Sequence, residues 1–178
     1  MNKNPIATIK FENVGEIQFE LRVDQAPQSV YNFCELANNG YYDGLSMHRI
    51  IRNFVAQGGD PTGTGMGGPG YTIKGEFANN RVDNQTQHDK GAIAFARSMA
   101  RDSAGSQFYI VTGDYDAANM KRMNEDYAAF GNMISGEDVV DVINNEYASN
   151  SGEPLKPLTI ETITINSHNE TLPSPDKL

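Results

Sequence analysis

The chain has 178 residues, of which 38% are hydrophobic, and its formal net charge is −9. That length suits one domain with a sizeable core, and the acidic balance argues against binding to a nucleic-acid backbone, which needs a basic face. The single cysteine, Cys34, excludes an internal disulfide. The sequence shows no signal-peptide segment and no run of about 18 apolar residues, so we expect a cytoplasmic protein without a membrane span.

The first forty residues predict a β-hairpin followed by a helix. Ile6–Phe11 and Glu16–Arg22 alternate between apolar and polar residues, and Asn13-Val14-Gly15 between them is typical of a turn. Asp24–Asn39 then has helical spacing, and Pro27 suits its first turn. The apolar face of this helix carries Val30, Phe33, Cys34 and Ala37.

Further short strands are predicted along the rest of the chain. They lie at Met47–Gln57, Ala92–Ala96, Gln107–Thr112, Tyr127–Ile134 and Pro157–Asn166. The first of them is interrupted near Arg52-Asn53, and Asp114–Asp126 is predicted to be a polar, partly helical connection. Ser135 stands three residues before Asp138, which is capping-box spacing and predicts a second helix.

Many strands, two helices and no βαβ alternation together predict a closed antiparallel β-barrel capped by two α-helices. Residues 1–167 are expected to form this single domain. Residues 168–178 have no periodic pattern, and we expect a frayed C-terminal tail there.

Three familiar kinds of site lack support. Gly63–Gly68 matches GxGxxG, but Pro69-Gly70 follows at once and no helix begins there. A surface loop with several positive-φ glycines explains that segment better than nucleotide binding does. The three histidines have no metal-ligand spacing, and Ser106 lies outside any GxSxG pattern. We therefore expect no metal and no cofactor.

The segment Met47–Asp60, MHRIIRNFVAQGGD, places an arginine inside an apolar run. Arginine is rarely buried unless it is paired. On one continuous strand, Arg49, Ile51 and Asn53 would share a face. From this segment alone, an edge-strand arginine in a salt bridge and a functional arginine are equally acceptable.

This segment resembles the signature of the cyclophilin-type peptidyl-prolyl cis/trans isomerases. The glycine-rich stretch that follows it is also similar to the family's, and further blocks occur in the family's order at Gly91–Ala96, Ser103–Ile110, Tyr127–Gly131 and Leu158–Ile165. The resemblance covers the chain from about Ile6 to Asn166. It implies an eight-stranded barrel and a cofactor-independent isomerase that accelerates rotation about X-Pro bonds during protein folding.

The resemblance also implies the site. Arg49 would be the catalytic guanidinium. The other implied substrate-binding residues are Phe54, Val55, Gln57, Ala96, Gln107, Phe108, Tyr109, Met123 and Tyr127. The resemblance implies that the proline pocket would be walled by Phe54, Val55, Tyr109 and Met123. Gln57 and Ala96 would bind the substrate backbone on either side, and Tyr127 would sit at the position often held by histidine. Gln107 and Phe108 would support the pocket from beside it.

Two departures from the family pattern affect these expectations. Tyr109 stands where the family often has phenylalanine, and its hydroxyl needs a partner. Arg122 stands where many eukaryotic members carry a tryptophan that contributes to cyclosporin binding, so the resemblance implies only weak cyclosporin binding. We expect a monomer that binds proline-containing polypeptides and neither nucleic acid nor membrane. A proline-peptide binding or chaperone module on the same fold, with little catalysis, remains the alternative.

Overall fold

The computed structural model describes residues 3–178, and its largest element is an antiparallel sheet of eight strands. These strands are β1 (Ile6–Phe11), β2 (Gly15–Leu21), β3 (Arg49–Ile50), β4 (Val55–Gly58), β5 (Ala92–Phe95), β6 (Phe108–Val111), β7 (Ala129–Ser135) and β8 (Ile160–Asn166). In space they follow the order β3-β4-β6-β5-β7-β2-β1-β8. The chain is therefore mainly β, as the sequence predicts.

The sheet curls but does not close into a barrel. β3 and β8 are its two edges, and no strand ladder of the described residues joins them. The segments that precede these strands are connected by an isolated bridge between Ser46 and Thr159 and by backbone hydrogen bonds such as Met47 N–H to the carbonyl of Leu158 at 2.9 Å. The prediction of a closed barrel is therefore wrong, and the structure is an open half-barrel. The reason is local: the chain reverses near Asn53, whose φ is 58°, so β3 has only two residues to offer as an edge.

Within residues 3–178, three α-helices accompany the sheet, one more than the sequence predicts. They are α1 (Pro27–Asn38), α2 (Ala117–Asp126) and α3 (Glu137–Val142), and one π-helical turn, Ile143–Tyr147, continues α3. α2 occupies the predicted partly helical connection. Asp116 caps it by accepting a hydrogen bond from the backbone N–H of Asn119 at 2.8 Å.

The predicted cap of the next helix is wrong. Ser135 is the last residue of β7, and its hydroxyl donates to Gln18 Oε1 at 3.1 Å instead of capping α3. Gly136, with a φ of 99°, takes the N-cap position and makes no side-chain hydrogen bond.

The main core lies between α1, α3 and the concave face of the sheet. Phe33 of α1 is its centre, with ring centroids 5.2 to 6.4 Å from those of Tyr42, Phe95, Phe108 and Phe130. Cys34 is 1% exposed in the same core, and burial raises the pKa of its thiol to about 12. It is therefore a packing residue, because the nucleophilic form of cysteine is the thiolate.

The C-terminal segment, which the sequence predicts to be a frayed tail, packs against α1. The Ser174 hydroxyl donates to Glu35 Oε1 at 2.6 Å, and Lys177 Nζ lies 3.0 Å from Glu35 Oε2. Lys177 also lies 4.7 Å from the ring centroid of Tyr71. These contacts join polar side chains that are far apart in the chain, so no periodic pattern in the sequence indicates them. Among the helices of residues 3–178, none is long and apolar enough to cross a membrane.

Candidate active site

The strands in the middle of the sheet bury two different faces. On β6, Phe108 and Ile110 point into the main core, whereas Tyr109 and Val111 point to the opposite face. The opposite face carries a second apolar cluster of buried residues, Val55, Ala92, Ala94, Tyr109, Val111, Met123 and Ala129. α2 covers this cluster with Met123, which is its one buried residue.

A cavity of about 320 Å³ opens beside the second cluster. It is lined by Arg49, Phe54, Val55, Gln57, Ala96, Arg97, Tyr109, Arg122, Met123 and Tyr127. Phe54 forms one wall and packs edge-to-face on Tyr115, with ring centroids 5.3 Å apart. Apolar walls with a few charged groups at the rim are the common pattern of small-ligand sites.

Arg49 reaches this cavity because the signature segment folds as a hairpin. β3 and β4 pair so that Arg49 lies directly opposite Gln57. The Arg49 Nη1 donates to Gln57 Oε1 at 3.5 Å, a long and therefore weak hydrogen bond. Gly152 packs on the aliphatic stem, because a Cβ at that position would lie 3.3 Å from Arg49 Cγ. Among residues 3–178, no carboxylate forms an ion pair with Arg49.

Gln57 is held in turn by the glycine-rich loop. Its Nε2 donates to Gln107 Oε1 at 3.1 Å, and Gln107 Nε2 donates to the carbonyls of Gly65 and Gly67, both at 2.9 Å. The loop's positive-φ glycines, which the sequence predicts, include Gly63 at 68° and Gly65 at 91°. This chain of hydrogen bonds fixes the side of the cavity that faces Arg49.

The carboxylate of Asp60 holds the same loop through hydrogen bonds to its backbone. The carboxylate accepts from the N–H groups of Thr62 at 2.8 Å, Thr64 at 3.1 Å and Gly65 at 2.6 Å. Burial alone would raise the pKa of Asp60, but these donors outweigh it and lower the pKa well below its usual range. The loop is therefore built around a permanent negative charge at neutral pH.

The hydroxyl of Tyr109 finds its partner beneath the cavity. His88, fully buried, places Nε2 2.9 Å from the Tyr109 hydroxyl and Nδ1 2.9 Å from Asn124 Oδ1. Because an amide oxygen only accepts, Nδ1 carries the hydrogen and Tyr109 donates to Nε2. Burial lowers the pKa of His88 to about 4, although the Asn124 hydrogen bond opposes this, so the imidazole is neutral at pH 7.

The structure brings most of the predicted site residues together. Eight of the ten line the one cavity, namely Arg49, Phe54, Val55, Gln57, Ala96, Tyr109, Met123 and Tyr127. Gln107 lies beside it and bonds to Gln57. Phe108 differs, because its side chain is fully buried in the main core against Phe33 and Tyr42. The alternation along β6 points it away from the cavity.

Sequence reasoning missed two groups of residues at this site. Arg97 lines the cavity beside Arg122, whose position the sequence did single out, and His88 with Asn124 forms the polar support of the cavity. The only available signal for Arg97 was its place directly after Ala96 at the end of a buried strand. His88 gave no signal, since its partners lie 21 and 36 residues away in the chain.

Comparison with known proteins decides the family. The model of the cyclophilin-type peptidyl-prolyl cis-trans isomerase family matches residues 6–165. The chain belongs to the cyclophilin family. It is 44% identical over 135 residues to a peptidyl-prolyl cis-trans isomerase of Helicobacter pylori, covering 76% of each chain. It is 40% identical over 150 residues to peptidyl-prolyl cis-trans isomerase B of Bacillus subtilis, covering 84% of this chain and 94% of that one.

Solved structures agree with this assignment. A cyclophilin-type peptidyl-prolyl cis-trans isomerase of Cryptosporidium parvum, crystallised in the presence of the dipeptide Ala-Pro, superposes with a TM-score of 0.79 at 31% identity. The match covers 91% of this chain and 99% of that one. The predicted family and the predicted activity are confirmed: this cyclophilin is a peptidyl-prolyl cis-trans isomerase.

Proposed function

We propose that the cavity beside α2 is the isomerase site and that Arg49 is its catalytic residue. One observation carries the proposal: an arginine free of carboxylate partners among residues 3–178 lines a cavity together with the apolar side chains of Phe54, Val55 and Met123. The alternative of a structural edge-strand arginine requires a salt bridge. No such bridge accompanies Arg49 in the described part of the chain.

The chemistry to be accelerated is a rotation. Amide resonance gives the X-Pro bond a barrier of about 20 kcal/mol, so uncatalysed isomerisation takes roughly tens to hundreds of seconds. In the twisted transition state the prolyl nitrogen loses conjugation and becomes a better hydrogen-bond acceptor. The bond rotates without being cleaved. The enzyme therefore needs to hold the proline ring in place and to direct a hydrogen-bond donor at the prolyl nitrogen.

The apolar walls of the cavity would hold the proline ring in place. Phe54, Val55 and Met123 would enclose the proline ring, and burial of its surface contributes about 25 cal/mol per Å². Tyr109 would complete the floor with its ring, since its hydroxyl is already committed to His88. A ring fixed in this way allows the preceding peptide group to turn against it.

Arg49 would supply the donor. Its guanidinium is planar, carries five N–H donors and keeps its charge at working pH. A donor speeds the reaction only if it binds the twisted state more strongly than either planar isomer. The weak hydrogen bond to Gln57 orients the guanidinium without saturating it, which leaves N–H groups for the substrate.

The wider setting also belongs to the proposal. The substrates would be proline-containing polypeptides during folding, and the Ala-Pro dipeptide of the Cryptosporidium parvum structure supports that class. We propose action in the cytoplasm as a monomer, with residues 1–167 as the isomerase domain. We also propose that cyclosporin binds only weakly, because Arg122 lines the cavity where many family members carry the tryptophan that contributes to cyclosporin binding.

A proline-isomerisation assay on short X-Pro peptides tests this assignment. Arg49→Ala should lower kcat/KM roughly 100-fold, the usual effect of removing one transition-state donor. Arg52→Ala is the matched control, because Arg52 donates to the carbonyl of Ala148 at 2.9 Å, away from the cavity. We expect the control to stay near wild-type activity and both variants to keep the wild-type Tm.

Each other outcome has a distinct meaning. Full activity in Arg49→Ala would remove Arg49 from the mechanism. Peptide binding by the wild type without turnover would favour the binding-module alternative.

A further inference from the structure

The cavity is positively charged within an acidic protein. The chain has 23 acidic and 14 basic residues, yet the ten residues that line the cavity include three arginines and no Asp or Glu. Rotation about the X-Pro bond requires only one donor. Arg97 and Arg122 therefore exceed what the proposed mechanism uses.

Arg97 is held firmly, but not by negative charge. Its Cζ lies 4.8 Å from the ring centroid of Phe77 and 5.0 Å from that of Tyr127, so the guanidinium stacks between two aromatic rings. Nε donates to the carbonyl of Asp126 at 2.9 Å, and Nη1 donates to the carbonyl of Ser98 at 3.0 Å. Nη2 makes no hydrogen bond within residues 3–178. The charge is thus fixed in place and available to a ligand.

Arg122 is exposed on α2 beside Met123. It forms no ion pair in the part of the chain that the structure describes, because the acidic residues of its helix are engaged elsewhere. Glu125 pairs with Lys121, and the Asp126 side chain accepts from Asn79. Arg122 therefore adds a second free charge to the same rim.

Arg97 also stands where a bound peptide must pass. A second cavity, of about 720 Å³, adjoins the first, and both are lined by Gln57, Ala96 and Arg97. A peptide with its proline in the first cavity would cross this shared rim to reach the second. A side chain one or two residues from the proline would then lie near Arg97, since extended chain advances about 3.3 Å per residue.

We propose that this groove selects proline segments that carry an aspartate or glutamate within two residues of the proline, and that Arg97 and Arg122 bind that carboxylate. Arginine suits this task because its fork of donors can hold both carboxylate oxygens. The proposal rests on the proposed function, since it assigns a substrate preference to the same site.

Matched peptides provide the test. Two sets of capped peptides are compared, and each set carries Glu, Gln or Lys. In the first set this residue stands one or two positions before the proline, and in the second set one or two positions after it. NMR exchange measurements give kcat/KM for each peptide. For at least one set we expect the Glu peptide to exceed the Lys peptide about five- to tenfold in low salt, the range of two partly exposed charge pairs. The ratio should fall towards one as the salt concentration rises from about 0.01 M to about 1 M. Over this range the Debye length, within which charges interact, shortens from about 30 Å to about 3 Å.

Variants assign the preference to residues. The double variant Arg97→Gln/Arg122→Gln should bring the Glu-to-Lys ratio close to one, whereas Arg97→Lys should retain part of it. Arg101→Gln is the matched control, because Arg101 is an exposed arginine on the adjoining loop that lines neither cavity. If Arg97→Gln disturbs the fold, as its Tm would show, Arg122→Gln alone still carries the test.

The outcomes separate this proposal from the proposed function. A wild type that isomerises no peptide would contradict the proposed function itself. A wild type that isomerises the Glu, Gln and Lys peptides equally well in both sets would overturn the specificity alone, as would an unchanged ratio in the double variant.

Discussion

The two faces of the central strands differ in the size of their side chains. The face towards the main core carries Phe95, Phe108 and Phe130, all at most 1% exposed. On β5 and β7 the face towards the cavity has small residues, Ala92, Ala94 and Ala129, whereas β6 presents Tyr109 and Val111 there. Large rings fill the core at close packing, whereas small residues leave room for α2 and for a ligand. One strand register thus serves stability on one side and the proposed catalysis on the other.

This division predicts opposite effects for neighbouring residues. A change on the core face should lower the free energy of unfolding, while a change at the cavity should lower kcat/KM and leave the fold intact. The largest effect on stability is expected on the core face, at Phe108.

Phe108→Ala should lower the free energy of unfolding by about 3–5 kcal/mol, because it opens a void among the rings of the main core. Urea unfolding measures this loss. The milder Phe108→Leu should keep the fold and a near-wild-type kcat/KM, since the side chain points away from the cavity. A large loss of activity in Phe108→Leu with an unchanged Tm would instead return Phe108 to the substrate site.

The cavity face should show a pH dependence that the core face lacks. His88 has a folded pKa of about 4, below its unfolded value of about 6.5, so the unfolded chain binds the extra proton first as pH falls. The contribution of His88 to the free energy of unfolding is therefore present above pH 6.5 and is lost as the pH falls from 6.5 to 4. Between pH 7 and pH 5.5 the free energy of unfolding should fall by about 1 kcal/mol.

Urea unfolding at the two pH values measures this fall, with His88→Gln and His168→Gln as the pair of variants. The fall should shrink in His88→Gln and persist in His168→Gln. An equal fall in wild type and His88→Gln would show that other groups cause it.

The local elements were predictable where one pattern decides them. The first hairpin, predicted at Ile6–Phe11 and Glu16–Arg22, forms at Ile6–Phe11 and Gly15–Leu21, because alternation and a turn suffice. The helix predicted at Asp24–Asn39 forms at Pro27–Asn38, with Pro27 in its first turn as expected. α2 was only partly predicted, since Met123 is its single buried residue and gives no apolar face.

The sequence indicated most of the residues that line the cavity, but not their arrangement in space. The interruption at Arg52-Asn53 is a chain reversal, so the single strand predicted there is a hairpin that sets Arg49 opposite Gln57. Residue spacing alone could not show this pairing. The buried contact of His88 with Tyr109 likewise depends on how distant segments pack.

In the proposed mechanism, Arg49 acts through its fork of donors and not merely through its charge. The direct measurement is kcat/KM of Arg49→Lys on an X-Pro peptide, beside wild type and the control Arg52→Lys, with Tm recorded for each. We expect a loss of roughly tenfold or more in Arg49→Lys, no loss in the control and unchanged Tm values. Activity of Arg49→Lys within about twofold of wild type would contradict it, because one point charge would then suffice.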